Sequence, residues 1–248
     1  MLSVIIITKN ESLHIRQCLE SVAWADEIIV FDSGSEDDTV SICREFTKKV
    51  YETDWPGFGI QKQRALDKAT HNWVLSIDAD ETVPNQLKET ILQAITQPTY
   101  TAYKIPRIAI FCGHPIKKGG INHNYTLRLF RRETGRFTPA QVHETIEVKG
   151  TIGKLKKAII HESHIDLEEA ITKINIYSGL SADIMLEKGR STGITKVILK
   201  SFWAFFNSYF LQLLFLDGKY GLMYAITNAE ESYYKYAKLM LLQNTSNQ

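Results

Sequence analysis

The chain has few cysteines, little net charge and no long apolar run, and each of these features makes a class of protein less probable. Its three cysteines, Cys18, Cys43 and Cys112, are widely spaced and form no C-x-x-C pair, so neither a disulfide framework nor a zinc site is expected. A formal net charge of +1 gives no reason to expect nucleic-acid binding. The start, MLSVIIITKNES, lacks the basic region of a signal peptide and predicts a first strand. These features are typical of a folded protein in a reducing compartment.

Glycine-rich phosphate loops are missing as well. No G-x-G-x-x-G follows the first predicted strand, and G-x-x-x-x-G-K-[ST] occurs nowhere in the sequence. Ordinary nicotinamide-dependent dehydrogenases and P-loop nucleotide hydrolases are therefore disfavoured.

The first hundred residues alternate between two kinds of segment. LSVIIIT, DEIIVFD, KKVYE and NWVLSID predict strands, and SLHIRQCLESV, DDTVSICREF and IQKQRALDKA predict the helices between them. This rhythm is typical of βαβ units, in which a mostly parallel sheet is covered by helices on both faces. The predicted fold class is therefore α/β.

The pattern changes after Pro98. YTAYKIPRIAIF, YTLRLFRR, VHETIEV and KAIIHES predict further strands to about residue 163. Asp166 and Glu169 then form a capping-box pattern, and the remainder is predicted to be helical. We therefore expect a domain at 1–163, with added β segments from about residue 99, and a helical region at 164–248.

Polar residues follow three of the predicted strands, as TKNE at 8–11, DSGS at 32–35 and DADE at 78–81. Ligands of parallel sheets bind at the carboxyl ends of the strands, so these segments predict a ligand site. Asp78 and Asp80 have D-x-D spacing, which places both carboxylates on one side of an extended segment. Such oxygen ligands suit Mg²⁺ or Mn²⁺ bound together with substrate phosphates. The alternative is a pair of exposed acids in a turn before Pro84.

Several of these segments together resemble a known family. SVIIITKNE, IIVFDSGSEDDT and VLSIDADE are similar to the family 2 glycosyltransferases, which have the GT-A fold. LRLFRR, VHE, IIHES and FLDGKYG resemble the subgroup of bacterial lipopolysaccharide-core β-1,4-glucosyltransferases. The resemblance implies inverting, metal-dependent transfer of a hexose, with glucose expected, from a UDP-sugar to a lipid-linked saccharide such as lipopolysaccharide core. It implies a cytoplasmic protein, peripheral on the inner face of the cytoplasmic membrane.

Two other functions stay open at this point. One is a family 2 transferase acting on another lipid or on a protein glycan. The other, from a different class, is a nucleotidyltransferase that makes sugar nucleotides. The second would be expected to carry a basic, glycine-rich loop after the first strand, and TKNESLH is not one.

The resemblance also assigns roles to individual residues. The uridine pocket would be lined by Thr8, Asn10, Glu11 and Asp32, while Asp78 would face the ribose and metal and Asp80 would ligate the metal. For Asp32 the alternative is an Asx-turn residue that holds the SGSEDDT turn.

Three further candidates follow from the later motifs and one helix. Glu144 in VHETIEV matches the catalytic carboxylate, which would take the proton of the acceptor hydroxyl; a strand-edge charge is the alternative. His161 in IIHES is a secondary candidate on the metal and diphosphate side, and a purely structural histidine is the alternative. Lys62, near Arg64 after a glycine-containing loop, would meet the diphosphate at a helix start, unless this is a solvated helix face. Asn124 stands where the subgroup has an acid, which bears on the acceptor.

The segment SFWAFFNSYFLQLLFLDG is too short and too interrupted by polar residues to span a bilayer. As a helix over 196–216, it would carry its aromatic residues, among them Phe202, Phe205 and Tyr209, on one side. Lys196 and Lys200 would lie on the other, a pattern that predicts membrane-surface contact. A core or dimer helix has the same pattern.

Overall fold

The computed structural model describes residues 1–116, 125–139, 145–164 and 166–246. The chain divides into two compact units, one formed by 1–107 with 124–161 and the other by 108–123 with 162–248. The second unit therefore contains residues 108–123 in addition to the helical end of the chain.

The secondary structure alternates as the sequence predicts as far as residue 78, and it adds a short strand and a helix before Pro98 that the sequence analysis did not predict. The strands are β1 Leu2–Thr8, β2 Glu27–Asp32, β3 Val50–Glu52, β4 Trp73–Asp78, β5 Glu81–Thr82, β6 Ala102–Ile105, β7 Arg107–Phe111, β8 His114–Ile116, β9 Thr126–Arg131, β10 Gly135–Phe137, β11 Ile146–Val148, β12 Ile152–Lys154 and β13 Ile159–His164. The helices are α1 Ile15–Val22, α2 Thr39–Phe46, α3 Phe58–Lys68, α4 Asn85–Thr96, α5 Leu167–Glu187, α6 Ile194–Phe206 and α7 Gly218–Ser246.

The first unit is built on a seven-stranded sheet in the order β12-β6-β9-β4-β1-β2-β3. The neighbours β4-β1-β2-β3 are parallel, and β9 runs antiparallel to both β4 and β6. All seven residues of β1 are buried, as expected of a central parallel strand. The predicted α/β class, with a mainly parallel sheet, is confirmed.

Helices cover both faces of this sheet. Side chains of β1 alternate between two apolar clusters, with Val4 and Ile6 packing on one face and Ile5 and Ile7 on the other. The first cluster includes buried residues of α1, α2 and α4, and the second includes those of α3. Because both faces are covered, the edge formed by the strand ends remains available for a ligand.

The second unit joins the β7–β8 hairpin to three helices. Its core consists of Phe111, Ile116, Ala170, Leu214 and Ala225. The predicted helix start is confirmed, because the Asp166 carboxylate accepts the backbone N–H of Glu169 at 2.8 Å.

The predicted single helix over 196–216 is wrong, because the chain breaks there. After α6, residues Asn207–Leu211 form a π-helical turn, and Leu213 is left-handed at φ +62°. A 3-10 turn at Leu214–Asp217 follows, and α7 packs so closely on it that a Cβ at Gly221 would lie 1.9 Å from the Leu214 carbonyl oxygen. The aromatic residues are consequently divided between two environments, since Phe205 and Tyr209 pack on the core while Phe202 is 65% exposed.

Within the described residues, no helix taken alone has the length and apolar character needed to cross a bilayer. The stretches Ile194–Leu211 and Leu214–Gln243 meet the criteria only as a pair, and that pair is bent by 69°.

A buried carboxylate holds together the opposite, amino-terminal edge of the parallel strands. Glu27, at the start of β2, accepts hydrogen bonds from the side chains of Ser3 and Lys49. It also accepts the backbone N–H and the hydroxyl of Thr70, both at 2.9 Å. Burial alone would raise the pKa of Glu27, but these donors outweigh it and lower the pKa to about 2.

We expect Glu27→Gln to lower the free energy of unfolding by about 2–3 kcal/mol at pH 7. Folding lowers the pKa of the Glu27 carboxyl from 4.5 to about 2, so the ionised carboxylate stabilises the folded state. A glutamine would lose this effect, and its NH₂ group would also face one of the hydrogen-bond donors. A carboxyl whose pKa is lowered in the folded state stabilises the folded protein fully above pH 4.5. This stabilisation is lost as the pH falls towards 2. The difference between variant and wild type should therefore shrink at pH 3. Urea unfolding at both pH values checks this, with the exposed Glu45→Gln as control, and an unchanged difference at pH 3 would contradict it.

Candidate active site

The carboxyl ends of three parallel strands meet at one edge of the first unit. In the sheet register Thr8 of β1 lies beside Asp32 of β2, and Ile7 lies beside Asp78 of β4. The three polar segments identified in the sequence are thus neighbours in space. Helix α3 contributes to the same edge, because Gln61 donates to the side chains of Ser33 and Thr53 at 3.0 and 2.8 Å.

Asp32 holds the loop that follows β2. Its carboxylate is fully buried and accepts the backbone N–H groups of Gly34 and Ser35 at 2.9 and 2.8 Å. The hydroxyl of Ser35 donates to the same carboxylate. This is the Asx-turn geometry that the sequence left as an alternative, and Gly34 accommodates its φ of +82°.

The segment after β1 is braced against that loop. Asn10 has a φ of +54°, its N–H donates to the Ser35 hydroxyl at 2.8 Å, and its side-chain oxygen accepts the N–H of Glu36 at 2.8 Å. The N–H of Glu11 donates to the Thr39 hydroxyl at 2.8 Å. Asn10 and Glu11 therefore help to shape the loops that surround the expected nucleotide pocket.

Thr8 ends β1 with a buried hydroxyl. Its Oγ1 has no hydrogen-bond partner among the residues that the structure describes. A buried polar atom without a partner is unfavourable, and a polar ligand at this edge would satisfy it.

Two cations hold Asp78. Lys62 Nζ lies 2.8 Å from Oδ1, and Arg128 Nη2 lies 2.7 Å from Oδ2. Burial opposes ionisation of this carboxyl, but Arg128 and then Lys62 outweigh burial and hold the pKa of Asp78 well below its usual range. Lys62 is only 5% exposed, so the solvated-helix-face alternative is wrong for this residue. Arg64 instead pairs with Asp54 at 2.7 Å on the outside.

Glu81, the last acid of DADE, turns inward. Its carboxylate is fully buried, accepting Arg128 Nη2 at 2.7 Å through Oε1 and the backbone N–H of Asp78 at 2.9 Å through Oε2. Arg107 lies 3.4 Å from Oε1. Burial raises the pKa of Glu81 above its usual value; Arg128 opposes this shift, and the neighbouring Asp78 charge adds to it.

Asp80 and His161 form the part of the cluster that is suited to a metal. His161 Nε2 lies 3.1 Å from Asp80 Oδ2, and the two side chains retain 19% and 18% exposure. No group of three His, Cys, Asp or Glu side chains arranged for a metal occurs among the described residues. A carboxylate and an imidazole nevertheless fit a divalent ion that completes its shell with phosphate oxygens and water.

Sequence reasoning missed the roles of three residues at this edge. Glu81 was counted with the acids of DADE, but its inward direction depends on Arg128 and on the backbone of Asp78. For Arg128, period-two alternation in LRLFRR predicts the face opposite Arg131, as observed, but it does not predict that Arg128 donates to Asp78 and Glu81. Arg128 is buried, while Arg131 stacks at 4.8 Å on Trp73. Gln61 carried no signal beyond its place next to Lys62.

Glu144 and Asn124 lie outside the described residues. The candidate site therefore comprises the ends of β1, β2 and β4, the start of α3, and the residues that β9 and β13 bring to them.

Known proteins are similar to this chain over nearly its whole length. The model of the family "Glycosyl transferase family 2" matches residues 3–153. The lipopolysaccharide core biosynthesis glycosyltransferase LpsC of Rhizobium meliloti is 30% identical over 247 residues, covering 96% of this chain and 91% of that protein. An uncharacterised glycosyltransferase of Rickettsia conorii is also 30% identical, with 96% and 89% covered.

Among solved structures, that of S. aureus TarS 1–349 in complex with UDP-GlcNAc is 16% identical. It covers 98% of this chain and 92% of the other, with a TM-score of 0.49.

Proposed function

The chain belongs to glycosyl transferase family 2, and we propose that it is an inverting, metal-dependent transferase that moves a hexose from a UDP-sugar to a lipid-linked saccharide. The observation that carries this proposal is the meeting of three polar strand ends with the Asp80–His161 pair. A nucleotidyltransferase lacks support, because the matching family is one of glycosyltransferases and the strand ends carry no basic glycine-rich loop.

In this proposal the nucleotide lies against the ends of β1 and β2. Thr8 offers its buried hydroxyl to the uridine, and Asn10, Glu11 and Asp32 shape the surrounding pocket. Lys62 and Arg128 are held by Asp78, which keeps two positive charges at this edge of the sheet. These cations would face an anionic diphosphate, and in this proposal Asp78 would face the ribose.

Asp80 and His161 would hold a Mg²⁺ or Mn²⁺ ion. When bound, such an ion neutralises the developing charge of the leaving diphosphate. Asp80 would offer a carboxylate oxygen and His161 an imidazole nitrogen, while the pairing of Asp78 with Lys62 and Arg128 leaves its carboxylate turned towards those cations.

Glu144 is the proposed base. In an inverting transfer the acceptor hydroxyl attacks the anomeric carbon in one displacement and must lose its proton as it does so. A carboxylate placed beside that hydroxyl can accept the proton.

The acceptor is proposed from the family subgroup and from one relative. LpsC is named as a lipopolysaccharide core biosynthesis enzyme, and it is similar over almost the full length of both chains. A core saccharide with glucose as the transferred sugar is therefore our first choice, and another lipid or a protein glycan is the alternative.

A lipid-linked acceptor requires the enzyme to reach a membrane, and α6 offers a suitable surface in the second unit. Its exposed apolar residues include a row spaced four apart that continues into the π-helical turn, namely Ile194, Ile198, Phe202, Phe206 and Phe210, and Leu199 and Trp203 are exposed beside this row. Residues 188–216 contain no acid and four basic side chains, Lys188, Arg190, Lys196 and Lys200. An apolar stripe flanked by cations suits an anionic bilayer surface. We therefore propose peripheral attachment to the inner face of the cytoplasmic membrane.

Asp80→Ala should abolish the metal-dependent part of UDP binding and leave the fold intact, because Asp80 lies in a turn at a strand end and not in the core. Calorimetry with Mn²⁺ and with EDTA measures the two affinities. The variant should bind UDP with Mn²⁺ no better than the wild type does in EDTA. Asp67→Ala, which removes an exposed acid on α3, is the control. Unchanged Mn²⁺ dependence in Asp80→Ala would refute the metal assignment.

Glu144→Gln should lower the transfer rate by roughly 10²–10⁴-fold, the usual contribution of a positioned general base. UDP affinity should change little, since the strand-end residues hold the nucleotide. The control is Glu147→Gln. Glu147 belongs to β11 and lies opposite Arg136 in the β10–β11 pair. Full transfer by Glu144→Gln together with an inactive Glu147→Gln would show that the base is misassigned.

Phe202→Ser should weaken binding to phosphatidylglycerol-containing vesicles by roughly 10- to 100-fold, because a buried aromatic side chain contributes about 1.5–3 kcal/mol. Lys196→Gln with Lys200→Gln should have a similar effect, since each cation contributes about 1 kcal/mol near an anionic surface. Leu92→Ser on α4 is the control for an exposed apolar residue elsewhere. Co-sedimentation measures binding. A change of oligomeric state in Phe202→Ser with unchanged vesicle binding would identify a subunit interface instead.

A further inference from the structure

We propose that Glu81 is a positioning residue that sets the distance between Asp80 and His161, an inference that rests on the proposed metal-dependent function. The Glu81 carboxylate is fully buried and is engaged by Arg128, Arg107 and the backbone of Asp78, whereas the adjacent Asp80 side chain keeps 18% exposure beside His161. Three sets of contacts define its role.

The first contact closes the turn that carries Asp80. Glu81 Oε2 accepts the backbone N–H of Asp78 at 2.9 Å, so the side chain reaches back over the two residues between them. This bond fixes the path of the chain from Asp78 to Glu81. The direction in which Asp80 leaves the turn therefore depends on the Glu81 carboxylate.

The second set of contacts attaches the turn to the neighbouring strands. Arg128 of β9 donates through Nη2 to Glu81 Oε1 and to Asp78 Oδ2, both at 2.7 Å. Arg107, at the start of β7, approaches Oε1 at 3.4 Å. Arg128 retains 8% side-chain exposure, so these charge-assisted bonds are shielded from water and hold the turn at both ends.

The third contact links the turn to the histidine. Strand β13 pairs antiparallel with β5, which places His161 directly opposite Glu81 in the register. His161 Nε2 then lies 3.1 Å from Asp80 Oδ2. A shift of the turn would move Asp80 away from a histidine that is held by a different strand.

These contacts distinguish positioning from a general contribution to stability. Partners that orient metal ligands typically change metal affinity or activity by about 10–100-fold when they are replaced. A purely structural residue would instead affect all ligands of this edge together. Nucleotide binding in the absence of metal therefore separates the two roles.

The first variant is Glu81→Gln, which keeps the size of the side chain and removes its charge. Calorimetry with UDP and Mn²⁺ should show a loss of Mn²⁺-dependent affinity of roughly 10–100-fold, with the UDP affinity in EDTA unchanged. Glu89→Gln, an exposed acid on α4, should bind as the wild type does. Equal losses with Mn²⁺ and in EDTA would overturn the positioning role.

The second variant, Glu81→Gln with Arg128→Met, removes both members of the buried ion pair. Stability should recover relative to Arg128→Met alone, because replacing both partners leaves fewer uncompensated buried charges. The ratio of the UDP affinities with Mn²⁺ and in EDTA, which removes the effect of Arg128→Met on UDP binding itself, should stay low, since the turn remains unattached. Recovery of metal affinity together with the melting temperature would show that Glu81 is only structural. If Glu81→Gln alone does not fold, this double variant carries the test.

The wild-type protein separates failure of this inference from failure of the proposed function. Absence of Mn²⁺-dependent UDP binding in the wild type would refute the proposed function itself. Normal binding by the wild type and equal binding by Glu81→Gln would refute only the role of Glu81.

Discussion

Arg128 lies between two carboxylates, and the geometry of the candidate site depends on that placement. One guanidinium nitrogen contacts both Asp78 and Glu81 at 2.7 Å. Removing a single member of such a buried set typically costs ~3–5 kcal/mol, because the remaining charges lose their compensation. With Lys62 and Arg107 included, three cations and two carboxylates hold the end of β4 in place. The turn after this strand is therefore tied by charges on several elements.

The acids of DADE therefore contact different partners. Asp78 and Glu81 are engaged by cations, and Asp80 is the acid that lies beside His161. The repulsion expected from three neighbouring carboxylates is relieved by side chains from α3 and β9, before any metal is considered. The same sheet has another buried carboxylate, Glu27, at its other edge, where hydrogen-bond donors keep it ionised. In a parallel sheet that is covered on both faces, polar side chains lie mainly at the ends of the strands, and both edges of this sheet show that arrangement.

Much of the first unit was predictable from local patterns. Apolar runs bounded by polar clusters identified β1, β2 and β4, and the carboxyl-end rule placed Thr8, Asp32 and Asp78 together. Period-two alternation separated Arg128 from Arg131. The helical wheel over 196–216 failed, because it assumes one continuous helix and the chain is left-handed at Leu213. Phe205 and Tyr209 consequently pack inward while Phe202 stays exposed.

The sequence by itself determined the α/β class, the order of strands and helices as far as β4, and the acids that follow β4, because these depend on periodicity and composition along the chain. Only the tertiary structure decided what each acid contacts. Glu81 and Asp80 are adjacent in the chain, yet one faces Arg128 and the other faces His161. Those partners lie 47 and 81 positions away in sequence. Contacts over such separations depend on strand pairing across the sheet, and no local pattern encodes them.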